Sequence, residues 1–600
     1  MSELHQESLR DGSRDWILFK RLVVYLKPYQ TLVLLSVFFL FCVSILSLSG
    51  PFLTKIAIDD YIVVSDLEGL NEIALIYLVV LGVAFICQFI QTYLMQYIGQ
   101  KVMYDLRTET FAHMHRMSFK FFDRNPIGKL ITRVVNDVEV LNEMLTSGLI
   151  LVFSDLFVLV GIFSMMFYLE WRMALVVCLV FPLLYLATWA YRIRARDALR
   201  KNRAHITRLN SFLEENLSGM STVHLFNKEK SHEDKFRNIN KDKVDEDLRS
   251  VYYNAIYLPS IDVFSALGMA LVIWYGGGKF VQDQIQLGVL VAFLQYLQKF
   301  FEPIRDLAEK FNIIQTAIAS AERTFELLDT PEDIADSHSS QTVKKVRGEI
   351  KFRNVWFSYK KGEDVLKDIS FSLLEGESLA VVGATGAGKS SLVNALCRFY
   401  EISRGDILLD GIPTNQINKY DLRRQISLVQ QDVFLFSGSI LDNIRLGNSH
   451  LEVDQIKSIA RSVNLHRFVD CLPDQYEQNI RERGSLLSLG QKQLLSFARA
   501  LAADPRILVL DEATSSIDTE TELQVQSGIK ELIRGRTSII IAHRLSTLKN
   551  VDKILVLKEG RMAEYGTQKE LLNKKGIYWK LYNLQAENDV KLQIKSLNSL

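Results

Sequence analysis

Eight consecutive residues in the second half of the chain, Gly383, Ala384, Thr385, Gly386, Ala387, Gly388, Lys389 and Ser390, have the types and spacing of a phosphate-binding loop. Glycines let backbone N–H groups close around phosphate oxygens, the lysine ammonium reaches the β- and γ-phosphates, and the serine hydroxyl ligates Mg²⁺. The run SLAVV before the loop reads as a buried strand. The run SSLVNALCRFY, opened by Ser390 and Ser391, reads as a helix whose N-terminal dipole adds to anion binding. Alone, the loop says nucleoside triphosphate and no more. Further on, ILVLDE is a buried strand that delivers two carboxylates at its C-terminal end. Asp511 is placed to hold Mg²⁺ through water, and Glu512 to orient and partly deprotonate an attacking water. His543 follows TSIIIA at the end of another buried strand, in reach of a γ-phosphate; without company, a histidine there reads as a core residue.

Such residues need strands to hold them, and from about Gly348 the apolar runs are short and β-rich (SLAVVG, DILLDG, ILVLDE, TSIIIAH, KILVLKEG), alternating with helical stretches. That is the pattern of an α/β domain around a buried, mostly parallel sheet. The polar, mixed-charge stretch DTPEDIADSHSSQTVKK upstream reads as a linker. The expected organisation is a membrane domain over 1–330, a linker over 331–347, a nucleotide-binding domain over 348–585 and a tail over 586–600.

The first half has another character. Six stretches reach the roughly 20 apolar residues that a membrane helix needs: Leu32 to Leu53, Ile73 to Tyr97, Gly148 to Leu169, Met173 to Tyr191, Ala255 to Tyr275, and one from Leu287 that loses apolar character after Phe301. LVLLSVFFLFCVSILSLSGPFL is apolar all round, unlike a soluble amphipathic helix. The loop after the second stretch carries Lys101, Arg107, Arg116, Lys120, Arg124, Lys129 and Arg133, and that after the fourth is also basic, which places both on the cytoplasmic side. The segment after the first stretch is acidic, and only Glu170, Trp171 and Arg172 join the third to the fourth, so these connections face outside. Both termini are then cytoplasmic, and Trp16 to Tyr29, basic and amphipathic, lies along the inner interface. The two cytoplasmic loops are long enough to continue their helices beyond the bilayer, with breaks at Pro126 and Gly128 in one and at Gly219 in the other. Asp155, within the third stretch, is a candidate for a cavity wall that would favour cationic amphiphiles, whereas Asp262 falls near the cytoplasmic end of the fifth.

Composition narrows the partners. Seventy basic and 69 acidic residues leave a net charge of +1, so no global electrostatic case for nucleic acid exists. Five scattered cysteines without a CxxC pair suggest neither disulfides nor structural zinc.

One ordered set of motifs carries a family resemblance: Tyr359 in VWFSY, the phosphate loop, Gln431 in QQDVFLF, the RERG stretch, Leu487-Ser488-Leu489-Gly490-Gln491, the Asp511-Glu512 strand, the Ser515 to Asp518 loop and His543. This order resembles the nucleotide-binding domain of ABC transporters. The six-span half fused before it resembles their type I exporter half-transporters, and LSLGQKQLL resembles the second subunit of bacterial heterodimeric multidrug-type exporters. The fold implied is multidomain: an all-α six-helix transmembrane domain followed by an α/β P-loop ATPase domain of ABC type. The resemblance further implies that ATP and Mg²⁺ are bound, that Tyr359 stacks on adenine, and that Gln431 couples the γ-phosphate and Mg²⁺ to the membrane domain. Ser390, Gln431 and Asp511 would hold the metal, Glu512 would be the general base, and His543 would clamp the γ-phosphate. Ser488, Gly490 and Gln491 would bind the nucleotide held by the opposite subunit, and the tips near Asn125 to Lys129 and Leu217 to Thr222 resemble coupling helices.

One residue departs from the pattern. The family signature usually reads LSGGQ, and Leu489 stands where glycine permits close backbone approach to a phosphate. In a homodimer both sites would carry Leu489; in a heterodimer this chain supplies an intact loop, Glu512 and His543 to a partner with a regular signature. The implied function is ATP-driven export of amphiphilic small molecules across a bacterial cytoplasmic membrane, with a second half-transporter as partner. The alternatives are a homodimeric lipid or drug exporter and an ATP-gated regulator or channel subunit.

Overall fold

In hydrocarbon every backbone N–H and C=O must find its partner within the protein, and a helix does this with no help from neighbours. The computed structural model describes residues 12–332, 342–343, 345–360, 362–511, 519–542 and 551–584, and up to the end of α11 at Asp329 these are almost entirely helical. The chain divides into two units: unit 1 comprises Met1–His115 and Ile127–Thr330, and unit 2 comprises Arg116–Pro126 and Pro331–Leu600.

Unit 1 holds α1 (Gly12–Val24), α2 (Gln30–Ile56), α3 (Leu67–Arg116), and, after the excursion of α4 (Phe119–Arg124) into unit 2, α5 (Ile127–Thr132) and α6 (Val138–Glu143). It continues with α7 (Ile150–Cys178), α8 (Phe181–Ser218), α9 (Met220–Leu225), α10 (Glu229–Val281) and α11 (Leu287–Asp329). Among the described residues, Lys27–Ile62, Leu67–Arg116, Val152–Cys178 and Glu229–Val281 are long and apolar enough to cross a membrane. Only 6% of the most apolar window of α3 is buried within the protein, which suits a lipid-facing surface. The other two expected spans meet interruptions. The fourth is divided between α7 and α8, where Pro182 sits in the first turn of α8; the sixth lies on α11, where Lys299, Glu302 and Arg305 break the apolar run. Glu170 leaves the helical region (φ −161°, ψ 99°), so the third and fourth stretches turn where the sequence placed an outer connection. With 50 and 53 residues, α3 and α10 are about 75 and 80 Å long at ~1.5 Å per residue, well over one bilayer.

Several polar groups inside this bundle find partners on other helices. Pro51 lies within α2 and has no N–H to give the Ser47 carbonyl one turn earlier. Lys299 of α11 supplies that donor, its Nζ lying 2.7 Å from the Ser47 carbonyl oxygen, and the Tyr296 hydroxyl donates to the Leu48 carbonyl at 2.7 Å. Asp155 is not a lone acid: Lys310 of α11 pairs with it, and Arg305 pairs with Asp262. An unpaired carboxylate selecting cations is therefore not what this position offers. At the start of α11 the Gly288 N–H donates to the buried Asp59 carboxylate at 2.6 Å. Near its end, Asp329 accepts two hydrogen bonds from Arg21 of α1 (2.6 and 2.7 Å), whose guanidinium lies 4.4 Å from the centre of the Phe325 ring.

Among the described residues, unit 2 contains two sheets. Strands β1 (Ile350–Ser358), β2 (Asp364–Leu373), β4 (Arg404–Leu409) and β5 (Ile412–Pro413) form an antiparallel sheet in the order β2-β1-β4-β5. Strands β3 (Ser378–Val382), β6 (Ile426–Val429), β7 (Ile507–Asp511), β8 (Thr537–Ile541), β9 (Lys553–Lys558) and β10 (Arg561–Gly566) form the second, in the order β10-β9-β3-β8-β7-β6. This sheet is parallel except for β10. The run DILLDG, read with the parallel strands from its composition, belongs to β4 of the antiparallel sheet, because hydrophobicity alone does not set strand direction. The helices include α12 (Lys389–Leu396), α13 (Lys419–Gln425), α14 (Ile440–Arg445), α15 (Val453–Ser462), α16 (His466–Asp470), α17 (Leu489–Ala502) and α18 (Thr519–Ile533).

Replacing Lys299 with methionine is expected to lower stability by about 1–3 kcal/mol, the usual penalty for a buried carbonyl left unpaired. Adding Pro51→Ala should recover most of that loss, because alanine at this position restores an N–H to the Ser47 carbonyl. Thermal unfolding of the detergent-solubilised single and double variants checks this; strictly additive losses would contradict the assignment.

Candidate functional site

Parallel pairing brings the chemistry to one edge. Val381 of β3 lies beside Ile541 of β8, and Ile541 beside Asp511 of β7, so three strands end together. The phosphate loop leaves β3 there and runs into α12. Gly386 and Gly388 have φ of +82° and +103°, a region that L side chains rarely adopt, and Gly388 caps α12. A Cβ on Gly388 would meet Leu366 Cδ2 at 2.8 Å, and one on Gly383 would meet the Leu557 carbonyl oxygen at 2.4 Å. These glycines let the loop fold tightly against β2 and β9. Ala384, Thr385, Gly386 and Ser390 are exposed, whereas Ala387 and Lys389 are buried.

The Lys389 ammonium donates to the carbonyls of Gly383 (2.7 Å) and Ala384 (3.2 Å), folded back over its own loop. Burial pushes its pKa below the ordinary lysine value, and Asp511 opposes that shift. A buried cation held mainly by loop carbonyls is a site that an incoming phosphate stabilises. Ser390, Asn394, Gln431, Asp432 and Asp511 line one open cavity of about 330 Å³. A hydroxyl, an amide oxygen and a carboxylate are the hard oxygen ligands that Mg²⁺ takes, so Ser390, Gln431 and Asp511 fit that ion. Glu512, His543 and the Ser515 to Asp518 loop lie outside the described residues.

Tyr359 follows β1 and is tied to α12 by its hydroxyl, which donates to Ser391 Oγ (3.2 Å) and accepts from Asn394 Nδ2 (3.0 Å). Sequence reading missed Asn394 and Tyr400. Tyr400, in the RFY stretch beyond α12, packs edge-on against Tyr359 with ring centroids 5.0 Å apart. The three-residue interval from Ser391 to Asn394 puts both on one face of α12, a signal that was available.

The Leu487 to Gln491 stretch lies at the start of α17. Ser488 is the N-cap: its Oγ accepts from the Gln491 N–H (3.3 Å), and Gln491 Oε1 accepts from the Ser488 N–H (2.9 Å). Leu489 is the first helical residue and is 40% exposed, and Gly490 is buried. Glycine is therefore not needed here for backbone reasons; leucine changes only what approaches from outside. The structure brings Tyr359, the phosphate loop, Ser391, Gln431 and Asp511 together in unit 2, and presents Ser488 to Gln491 on a separate helix start.

Residues 33–304 match the family model described as "ABC transporter transmembrane region", and residues 366–515 match that described as "ABC transporter". The protein of Bacillus subtilis (strain 168) named "Uncharacterized ABC transporter ATP-binding protein YknV" is 36% identical over 583 residues, covering 96% of each chain. The "ATP-dependent lipid A-core flippase" of Syntrophus aciditrophicus (strain SB) is 34% identical over 579 residues, again 96% of each. A solved structure described as "Structure of a bacterial Atm1-family ABC exporter with ATP bound" superimposes with a TM-score of 0.77 at 25% identity, covering 93% of this chain and 98% of that one.

Alanine at Gly386, where a Cβ meets nothing within 4 Å, should cost only the left-handed backbone penalty of ~1–2 kcal/mol. Alanine at Gly388, with the same penalty plus the Leu366 clash, should cost more. Calorimetric unfolding of the two variants ranks them, and an equal or reversed order would contradict the packing described.

Proposed function

The chain belongs to the ABC transporters as an exporter that carries its transmembrane and ATP-binding domains in one polypeptide, and on that premise we propose that it is one half of a heterodimer exporting amphiphilic, drug- or lipid-like small molecules across a bacterial cytoplasmic membrane. Both termini and unit 2 lie in the cytoplasm in this reading. The observation that carries the ATPase part is the meeting of Lys389, Ser390, Gln431 and Asp511 at the common end of β3, β8 and β7.

In the proposed mechanism Tyr359 stacks on adenine, the N–H groups of the loop and the Lys389 ammonium hold the phosphates, and Ser390, Gln431 and Asp511 hold Mg²⁺. The ion, when bound, neutralises charge on the β- and γ-phosphate oxygens. Glu512 orients water for attack and accepts its proton, and His543 clamps the γ-phosphate. The start of α17, with Ser488, Gly490 and Gln491, faces the nucleotide of the opposite subunit. Closure of two ATPase domains around nucleotide moves the helices joined to them and so alternates access to the cavity.

The heterodimer rests on Leu489. Its exposed side chain stands in the first turn of α17, where a phosphate would approach the N–H groups of the helix start. The site formed with this chain's signature is then the impaired one, and the site formed with this chain's phosphate loop is the competent one. The likeness to a protein named as a lipid A-core flippase supports an amphiphilic substrate.

The chain purified alone should hydrolyse ATP at least about tenfold more slowly than with its partner. Glu512→Gln in the pair should reduce turnover by about 100-fold or more, the scale of a lost general base. Equally fast, Glu512-dependent hydrolysis by the lone chain would overturn the heterodimer in favour of a homodimer. Inverted membrane vesicles should accumulate a fluorescent amphiphile in the presence of ATP. Robust hydrolysis without accumulation would favour a gated regulator instead.

A further inference from the structure

The tip of the first cytoplasmic hairpin is joined by the chain to α3 on one side and α5 on the other, yet Arg116–Pro126 folds with unit 2. The segment that folds with unit 2 holds α4 and reaches Asn125 and Pro126, the start of the tip expected from the sequence. Phe119 of α4 stacks on Phe399 with centroids 4.9 Å apart, and the Arg423 guanidinium lies 5.4 Å from the centre of the other ring of that pair, Phe399. Asp123 of α4 accepts a hydrogen bond from the Tyr400 hydroxyl.

Phe399 and Tyr400 close the stretch that begins at the phosphate loop. The Tyr400 ring stands edge-on to Tyr359 at 87°, and edge-on to Phe357 with centroids 5.9 Å apart. Tyr359 is itself held by Ser391 and Asn394, two and five residues beyond Lys389. An uninterrupted set of van der Waals and hydrogen-bond contacts thus runs from Tyr359 through Tyr400 to Asp123 and into the hairpin. Gln431, which faces Ser390 and Asp511 across the cavity, is not part of it.

We propose that the Asp123–Tyr400 hydrogen bond is a positioning contact through which the hairpin tip registers a base stacked on Tyr359, separately from the phosphates. The proposal rests on the reading of Tyr359 as the adenine-stacking residue. A ring with its hydroxyl anchored at α12 and its edge against Tyr400 has little freedom, so a base laid on it fixes the Tyr359–Tyr400 pair in one arrangement. The Tyr400 hydroxyl converts that arrangement into a directional bond to α4. Burial and the neighbouring Asp123 both push the Tyr400 pKa far above the ordinary tyrosine value, so the hydroxyl stays a donor throughout the physiological range. Phosphates alone, seated in the loop, place nothing on the face of the Tyr359 ring.

Hydrogen–deuterium exchange of peptides covering 117–126 tests this in the full-length exporter with its partner. The probes are saturating AMP-PNP, which carries the base, and inorganic tripolyphosphate, which does not. AMP-PNP should slow exchange of these amides about tenfold and tripolyphosphate little. Tyr400→Phe, which keeps the ring, and Asp123→Asn should each abolish that protection while the nucleotide Kd, from displacement of a fluorescent ATP analogue, changes less than about twofold. Wild-type protection in Tyr400→Phe, or equal protection by tripolyphosphate, would overturn the proposal. Tyr359→Ala should weaken nucleotide binding about tenfold, the scale of one base–aromatic stack. Unchanged affinity in that variant would instead remove the adenine reading on which the proposal rests.

Discussion

Backbone hydrogen bonding is the constraint on which both halves of this chain depend, and they meet it in opposite ways. Inside a bilayer an unpaired carbonyl has no water to turn to, so Pro51 in α2 creates a demand that only another part of the protein can meet. Lys299 meets it from α11, 252 residues beyond Ser47, and Tyr296 adds a hydrogen bond to the adjoining Leu48 carbonyl. Around the phosphate loop the demand is left open. The first N–H groups of a helix have no intrahelical partner, and glycines at Gly386 and Gly388 shape the loop so that α12 starts at the edge where three strands end. One unit closes the gap that its proline opens against lipid; the other keeps a polar gap for an anion.

What was legible in the sequence follows from how local each feature is. The phosphate loop, the strand ending in Asp511 and the long apolar helices are written in consecutive residues, and the loop, the strand and four of the six expected spans appear where the pattern put them. Features assembled across the chain were not readable. Asp155 looked like an isolated acid because Lys310 lies 155 residues further on. DILLDG looked like its parallel neighbours because direction is a property of pairing, not of composition. Tyr400 sits in a stretch that reads simply as the end of a helix, and its contacts with Tyr359 and Asp123 exist only once two distant segments are brought beside it. The contacts of α4 have the same origin: Pro126 marks a break in the chain but does not say which side of the break packs.

The two long hairpins between the spans are also unlike each other. The first yields α4 to unit 2, where Phe119 and Asp123 meet aromatic side chains. The second remains in unit 1, with α8 and α10 held side by side by contacts such as Arg208 with Asp242 and Phe212 with Phe236, and α9 at its tip. Exposed ion pairs of this kind contribute little individually, and most of the stiffness of such an arm comes from helix length and apolar packing. A rigid arm and a docked tip suit different tasks, one carrying displacement and the other sensing a local rearrangement.

The placement of Leu489 bears on how such a protein changes over generations. At the first position of α17, exposed and in ordinary helical geometry, the residue is free of the backbone requirements that bind Gly388. Exchange between glycine and leucine there is close to silent for folding, and leucine is the better helix former. In the dimer proposed above, selection at this position acts through the neighbouring subunit rather than through the fold of its own chain. On that proposal, one composite site could be lost in a single step after a gene duplication while both copies keep folding. An asymmetric pair is in that sense an easily reached descendant of a symmetric one.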